Sequence, residues 1–189
     1  MTAASDDMKI AARHEAGHLV VAAVEGLRLR DDGIILAADA QGIACYCKEA
    51  KNDPERKSVA KATYAGYYAE SRFCAALGLP GKPEDWQAWG DGDEAAKIIN
   101  AMDDASLKNG TVSATMAELQ AAAKAFVEQH WTAIEAVADA LLAKPLEPLR
   151  QFKSGNGWTD QSEARHLTGA EVADVLNGIG IRVAVVANC

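Results

Sequence analysis

Long apolar runs are missing from this chain. Nothing approaches the ~20 consecutive apolar residues that span a bilayer, and Leu19–Val24 is too short for that role. Positive charge is also scarce. Nineteen Lys and Arg stand against 27 Asp and Glu, for a formal net charge of −8 and a pI near 5.0. Nucleic-acid partners normally demand a basic face, so that class is excluded. The first ten residues, with Asp6, Asp7 and Lys9, lack the basic start and apolar run of a signal peptide. No G-x-x-x-x-G-K-[ST] phosphate loop occurs, since Gly78-Leu79-Pro80-Gly81-Lys82-Pro83 has neither the spacing nor the hydroxyl. Cysteine is limited to Cys45, Cys47, Cys74 and Cys189. The C-x-C pair at 45 and 47 finds no second pair or adjacent histidine to complete a metal set. Free thiols and a cytoplasmic location are therefore the expectation.

Histidine is rare as well, which gives weight to where it falls. Two of the four histidines lie in His14-Glu15-Ala16-Gly17-His18, an H-E-x-x-H motif inside a segment that reads as one helix. With thirteen glutamates in 189 residues, chance supplies roughly 0.006 such motifs. Positions i and i+4 share a helix face one turn apart. Two imidazoles there can converge on one Zn²⁺, with Glu15 in reach of a water the metal polarises.

The expected fold is α+β and mostly α-helical, a single 1–189 domain with one small hairpin beside the motif helix. Ordinary apolar and charged fractions, 49% and 24%, allow a real core. Helix 1 is predicted over Asp6–Glu25, capped by Ser5 or Asp6 and buried along Leu19–Val24. Gly33–Leu36 and Gly42–Cys47 read as strands joined through Ala40-Gln41-Gly42. Asp53-Pro54 announces a helix that runs to Leu77 and stops at Gly78. A loop over Leu79–Gly92 leads to a helix starting near Asp91 to Glu94. A long helix is predicted over Val112–Ala143, loop or short helix over Leu146–Trp158, and a last helix from the Thr168–Glu171 capping box to Leu176. The tail from Ile179 to Cys189 finds no assignment.

Catalytic zinc normally takes three protein ligands, so two histidines leave one to be found. Glu70, Asp91 and Asp93 are the candidates, and an aspartate at a helix start is held ionised by the helix dipole. Taken in order, several segments resemble the FtsH-type peptidases, the proteolytic domain of AAA+ membrane proteases. The resemblance is carried by HEAGH followed by Leu19-Val20-Val21-Ala22, by the Ile34-Ile35…Gly42…Tyr46 hairpin, and by Tyr64-Ala65-Gly66-Tyr67-Tyr68-Ala69-Glu70. It extends to Trp89-Gly90-Asp91-Gly92-Asp93-Glu94-Ala95-Ala96. It spans residues 8–105 with ordered motifs, a zinc-site core, and residues 106–189, the C-terminal helical part, only in general character. It implies zinc held by His14, His18 and Asp91, with Asp93 the alternative. Asp91 sets Ala95, Ala96, Ile98, Ile99 and Met102 on positions small or apolar in the family, whereas Asp93 would put Lys97 where alanine stands. Glu70 then takes a structural role.

The activity implied is that of a zinc metalloendopeptidase. Glu15 accepts the water's proton and passes it to the leaving amine. The hairpin pairs with an extended polypeptide, giving loose specificity with an apolar preference. The family's transmembrane helices and ATPase module are not in this sequence. That leaves flexible or unfolded substrates, ATP-independent cleavage, or delivery by a separate AAA+ ATPase, and a homo-oligomer remains open. The alternative is a catalytically silent zinc-containing peptide-binding adaptor, against which the intact Glu15 argues. His130 and His166 read as packing or surface residues, with His166 exposed. Trp86 and Trp89 read as cleft lining or core.

Overall fold

The computed structural model describes residues 4–49, 52–79, 114–148 and 163–189. Its elements are α1 (Asp6–Val24), β1 (Leu29–Ala37), β2 (Gly42–Tyr46), α2 (Asp53–Ala76) and α3 (Met116–Gln129), then α4 (Trp131–Ala143), β3 (Glu147–Pro148), β4 (Glu163–Leu167), α5 (Gly169–Gly178) and β5 (Val185–Val186). The fold is α+β and mostly helical, with one small sheet.

Helix α1 starts where Ser5 accepts a hydrogen bond from the Met8 amide and Asp6 and Asp7 sit at the positive end of the dipole. From Ala16 to Ala23 it is buried almost all round, because it runs between the sheet, α2 and α4. Leu19, Val20 and Val21 join Ile34 and Leu36 of β1, Ile134 and Leu141 of α4, and Leu176 of α5 in one apolar core. Residues from both halves of the chain therefore share that core. Arg13 fixes α1 laterally: its guanidinium donates to Asp139 of α4 at 2.9 Å and stacks on Phe73 of α2, 4.2 Å from the ring centroid.

The α1–α2 crossing is close because small residues meet there. A Cβ on Gly17 would lie 2.8 Å from both the Ala65 carbonyl oxygen and the Ala69 Cβ. Helix α2 begins one residue earlier than Asp53-Pro54 implies, with Asn52 as the cap whose side chain accepts from the Glu55 amide.

The sheet order is β2-β1-β4-β3, all antiparallel, and β5 pairs with β1 in parallel at Leu29 and Arg30. Ile34, Leu36, Ala44 and Tyr46 face α1, whereas Ile35, Ala37 and Ala164 pack with Ile43 on the other face. The β1–β2 turn carries its positive φ on Ala40 (67°), beside a glycine at 42 that does not.

Several expectations are corrected. The single helix over 112–143 is two among the described residues, divided at His130, which ends α3 and opens α4. No residue there forbids a helix. The break follows from packing, since Leu119 and Ala123 of α3 lie on Ala60 and Tyr64 of α2, while Ile134 and Leu141 of α4 join the core around α1. Glu147–Pro148, expected as loop or helix, is a strand edge paired with β4. His166, expected exposed, is half-buried in β4, and its Nε2–H donates to the Asp32 carbonyl at 2.9 Å. Cys47 is not a free thiol. It forms a disulfide with Cys189, Cα to Cα 5.5 Å, which ties the otherwise unassigned tail to the end of β2. Cys45 and Cys74 lie outside any disulfide, both buried, so the thiol argument for a reducing compartment is left with those two. Burial, and then the Asp32 charge, pushes the Cys45 thiol up to about 11. The predicted loop over Leu79–Gly92, apart from Leu79, and the helix after it lie outside the described residues.

Candidate functional site

One turn of α1 brings His14 and His18 together, and their Nε2 atoms stand 3.0 Å apart. The rings meet edge to face, with centroids 4.7 Å apart. Each ring is fixed from behind. The Nδ1 of His14 lies 3.0 Å from a carboxylate oxygen of Glu70, and the Nδ1 of His18 lies 2.8 Å from the Ala62 carbonyl. An ionised carboxylate and a carbonyl only accept, so both Nδ1 atoms carry the proton. In the neutral rings both Nε2 atoms then present lone pairs to one another.

Two facing lone pairs at 3.0 Å repel unless a proton or a metal ion lies between them. Two imidazole nitrogens bound to one tetrahedral zinc stand about 3.3 Å apart. The pair therefore fits a zinc ion with little adjustment. The outward Nδ1 hydrogen bonds are the pattern in which metal-binding histidines are held, one on a carboxylate and one on a backbone carbonyl.

Two glycines make this packing possible. At Gly66, in the interior of α2, an added Cβ would lie 2.4 Å from the His18 Nε2, so the ring rests directly on the helix backbone. At Gly42, the first residue of β2, an added Cβ would lie 2.6 Å from the Glu15 Oε1. Glu15 is buried against that strand at 7% exposure, and His18 is at 6%. Neither glycine was marked as a site residue by the sequence pattern. A signal existed at Gly66, because glycine inside a helix costs about 1 kcal/mol relative to alanine and implies a close neighbour.

A cavity of about 520 Å³ opens between the first turns of α1, the turn 39–42, and Glu70 and Cys74 of α2. His14 and Glu15 both line it. Ala40, with its left-handed backbone, lies on the rim, and such strain in a non-glycine residue collects at functional sites. A smaller cavity of about 90 Å³ lies beyond Glu15, between His18 and β2. Glu15 is common to the walls of both.

His14, Glu15 and His18 thus stand together, and Glu70 stands behind His14. Asp91, Asp93, Trp86 and Trp89 lie outside the described residues. Among the described residues no group of three or more His, Cys, Asp or Glu is placed to hold a metal ion. His130 and His166 sit apart from the pair, at the α3–α4 junction and in β4. Among the described residues, no helix is long and apolar enough to cross a membrane. No protein-family model matches the chain, and no curated protein matches it.

Proposed function

We propose that this chain is a zinc-dependent endopeptidase of FtsH type that cleaves flexible or unfolded polypeptides without ATP of its own. The observation that carries the reading is the 3.0 Å approach of two Nε2 atoms whose Nδ1 protons are already committed, with a buried glutamate next to the first histidine. His14 and His18 would hold the zinc, with Asp91 as third ligand and Asp93 as the alternative. When bound, the zinc supplies Lewis-acid charge that brings water ionisation into the neutral range and polarises a carbonyl.

The chain's own residues do the rest. Glu15 takes the proton of the attacking water and returns it to the leaving amine. Glu15 packs against Gly42, so the proposed proton transfer would lie at the start of β2. Among the described residues β2 ends the sheet, so an extended polypeptide can pair along it and present its backbone to Glu15. Glu70 and Ala62 keep the two imidazoles turned toward each other.

The test compares the parent protein with Glu15→Gln, measuring zinc by elemental analysis and cleavage of unfolded casein. The parent is expected to hold one zinc per chain and to cleave in a chelator-sensitive way. Glu15→Gln should keep the metal and lose at least about 100-fold in rate. Equal cleavage by both proteins would refute the mechanism. Zinc in both with cleavage by neither would favour the adaptor.

A further inference from the structure

The outer end of the larger cavity carries two charges that the hydrolytic chemistry does not use. Along α1, Asp7, Ile10, Ala11 and His14 fall on one helix face and line it in that order. The turn before β2 forms the facing wall with Asp39 and Ala40. Asp7 and Asp39 are both exposed, whereas Ile10, Ala11 and Ala40 are half-buried.

Neither aspartate is neutralised from within the protein. Asp39 accepts the Gln41 amide at 3.1 Å, and among the described residues neither carboxylate makes an ion pair. No lysine or arginine among the described residues lines the cavity. Asp6 behaves differently, since it pairs with Lys9 at 2.8 Å and lies outside the cavity. Both Asp6 and Asp7 suit the helix dipole, yet only Asp7 turns into the cleft.

Two carboxylates in a cleft with partly apolar walls concentrate negative potential there, because the walls focus the field. Distance then restricts what can use it. Asp7 lies two turns before His14, about 10 Å along the helix axis. That span is about three residues of extended chain, and fewer when a long side chain completes the reach. Ile10, Ala11 and Ala40 offer apolar surface to a methylene stem. Lysine and arginine are the residues that join such a stem to a cationic end. A volume of about 520 Å³ holds that side chain together with the backbone that carries it.

We infer that the outer end of this cleft is a substrate subsite for a lysine or arginine side chain within about three residues of the scissile bond, and that Asp7 and Asp39 select it. The inference rests on the endopeptidase reading and sharpens its apolar preference into an apolar stem with a cationic end.

The experiment uses the zinc-loaded parent, Asp7→Asn, Asp39→Asn and the double variant, with Asp6→Asn as the control for the helix dipole. Asparagine keeps an acceptor for the Gln41 amide, so the turn is preserved. The substrates are peptides with blocked termini that carry Lys or Gln at each of the three positions on either side of the cleaved bond. At the most responsive position the parent should favour Lys over Gln in kcat/KM by about three- to five-fold per carboxylate, the range of exposed ion pairs, and less in high salt. Each single variant should lose part of that preference and the double variant all of it, while Asp6→Asn keeps it. A ratio near one at every position in the parent, or the same ratio in parent and double variant, would overturn the inference and leave the endopeptidase standing. An equal loss in Asp6→Asn would overturn it as well, because the cleft would not be the source. If neither the peptides nor casein are cleaved, the endopeptidase reading fails. Anisotropy titration of the same labelled peptides then decides the subsite: tighter binding of Lys peptides that the double variant abolishes supports it, and equal Kd values for Lys and Gln peptides overturn it.

Discussion

The α1–α2 crossing and the corner formed by α4, β4 and α5 use polar residues in opposite ways. At the corner, charges meet opposite charges and the terminal donors meet acceptors, although the buried Arg165 Nε finds no hydrogen-bond partner among the described residues. Arg165 donates to the carbonyls of Leu142 and Lys144, closing the end of α4. Lys144 pairs with Glu171, whose carboxylate also accepts from the Thr168 amide at 2.9 Å in a complete capping box. The Lys144 bond, and then the Thr168 amide, draws the Glu171 carboxyl down to about 2. At the crossing, the Nε2 atoms of His14 and His18 approach to 3.0 Å, Gly66 gives up a side chain inside a helix, and Ala40 holds a left-handed turn nearby. The corner is arranged for stability. The crossing accepts local costs, a glycine inside a helix and a left-handed alanine, and under the proposed function these are the costs of a site.

Changes at the crossing should therefore alter chemistry more than stability, and changes at the corner the reverse. The largest effect is expected from Gly66→Ala. Alanine gains about 1 kcal/mol of helix propensity, yet its Cβ would lie 2.4 Å from the His18 Nε2. Displacing the ring by about 1 Å should cost on the order of 100-fold in casein cleavage, with the thermal midpoint nearly unchanged. A fully active, zinc-replete variant would show that the ring is not pinned there. Glu70→Ala comes next. Removing the acceptor behind His14 should weaken zinc about 10- to 100-fold, measured by competition with a chromophoric chelator, while Glu70→Gln should recover most of the loss by keeping an acceptor.

Away from the crossing, effects should appear in stability. Cys189→Ser removes a cross-link between residues 142 apart in sequence and should cost about 2–5 kcal/mol. Urea unfolding should show that loss in non-reducing buffer and a matching loss when the parent is reduced. The smallest effect is expected from Glu171→Gln, about 0.5–1 kcal/mol at neutral pH because the ion pair is exposed. The sign follows from a carboxyl held at about 2 against an ordinary 4.5. Its contribution is complete above pH 4.5 and drains as the pH falls toward 2. Parent and variant should converge in that window, and a gap that stays constant would mean that Glu171 charge is not the source.

Legibility in the sequence followed how local each signal was. The motif helix, the Gly42 strand and the Thr168–Glu171 box were readable because caps and periodicity act within a few residues. Strand β4 was not, because Glu163, Arg165 and His166 hide its alternation. Arg165 is buried only because the end of α4 supplies carbonyls for it. The break at His130 and the Cys47–Cys189 bond were equally hidden, since each depends on a partner far along the chain.

The sequence by itself determined that two imidazoles and a glutamate share one helix turn, and that the helix they ride is buried, because spacing on a helix is fixed by its pitch. Only the tertiary structure decided how those rings are turned. Glu70 and Ala62 on α2 hold their outer nitrogens, and Gly66 clears the space for His18. Orientation is set by atoms that reach the site from another element, and no local pattern encodes their arrival.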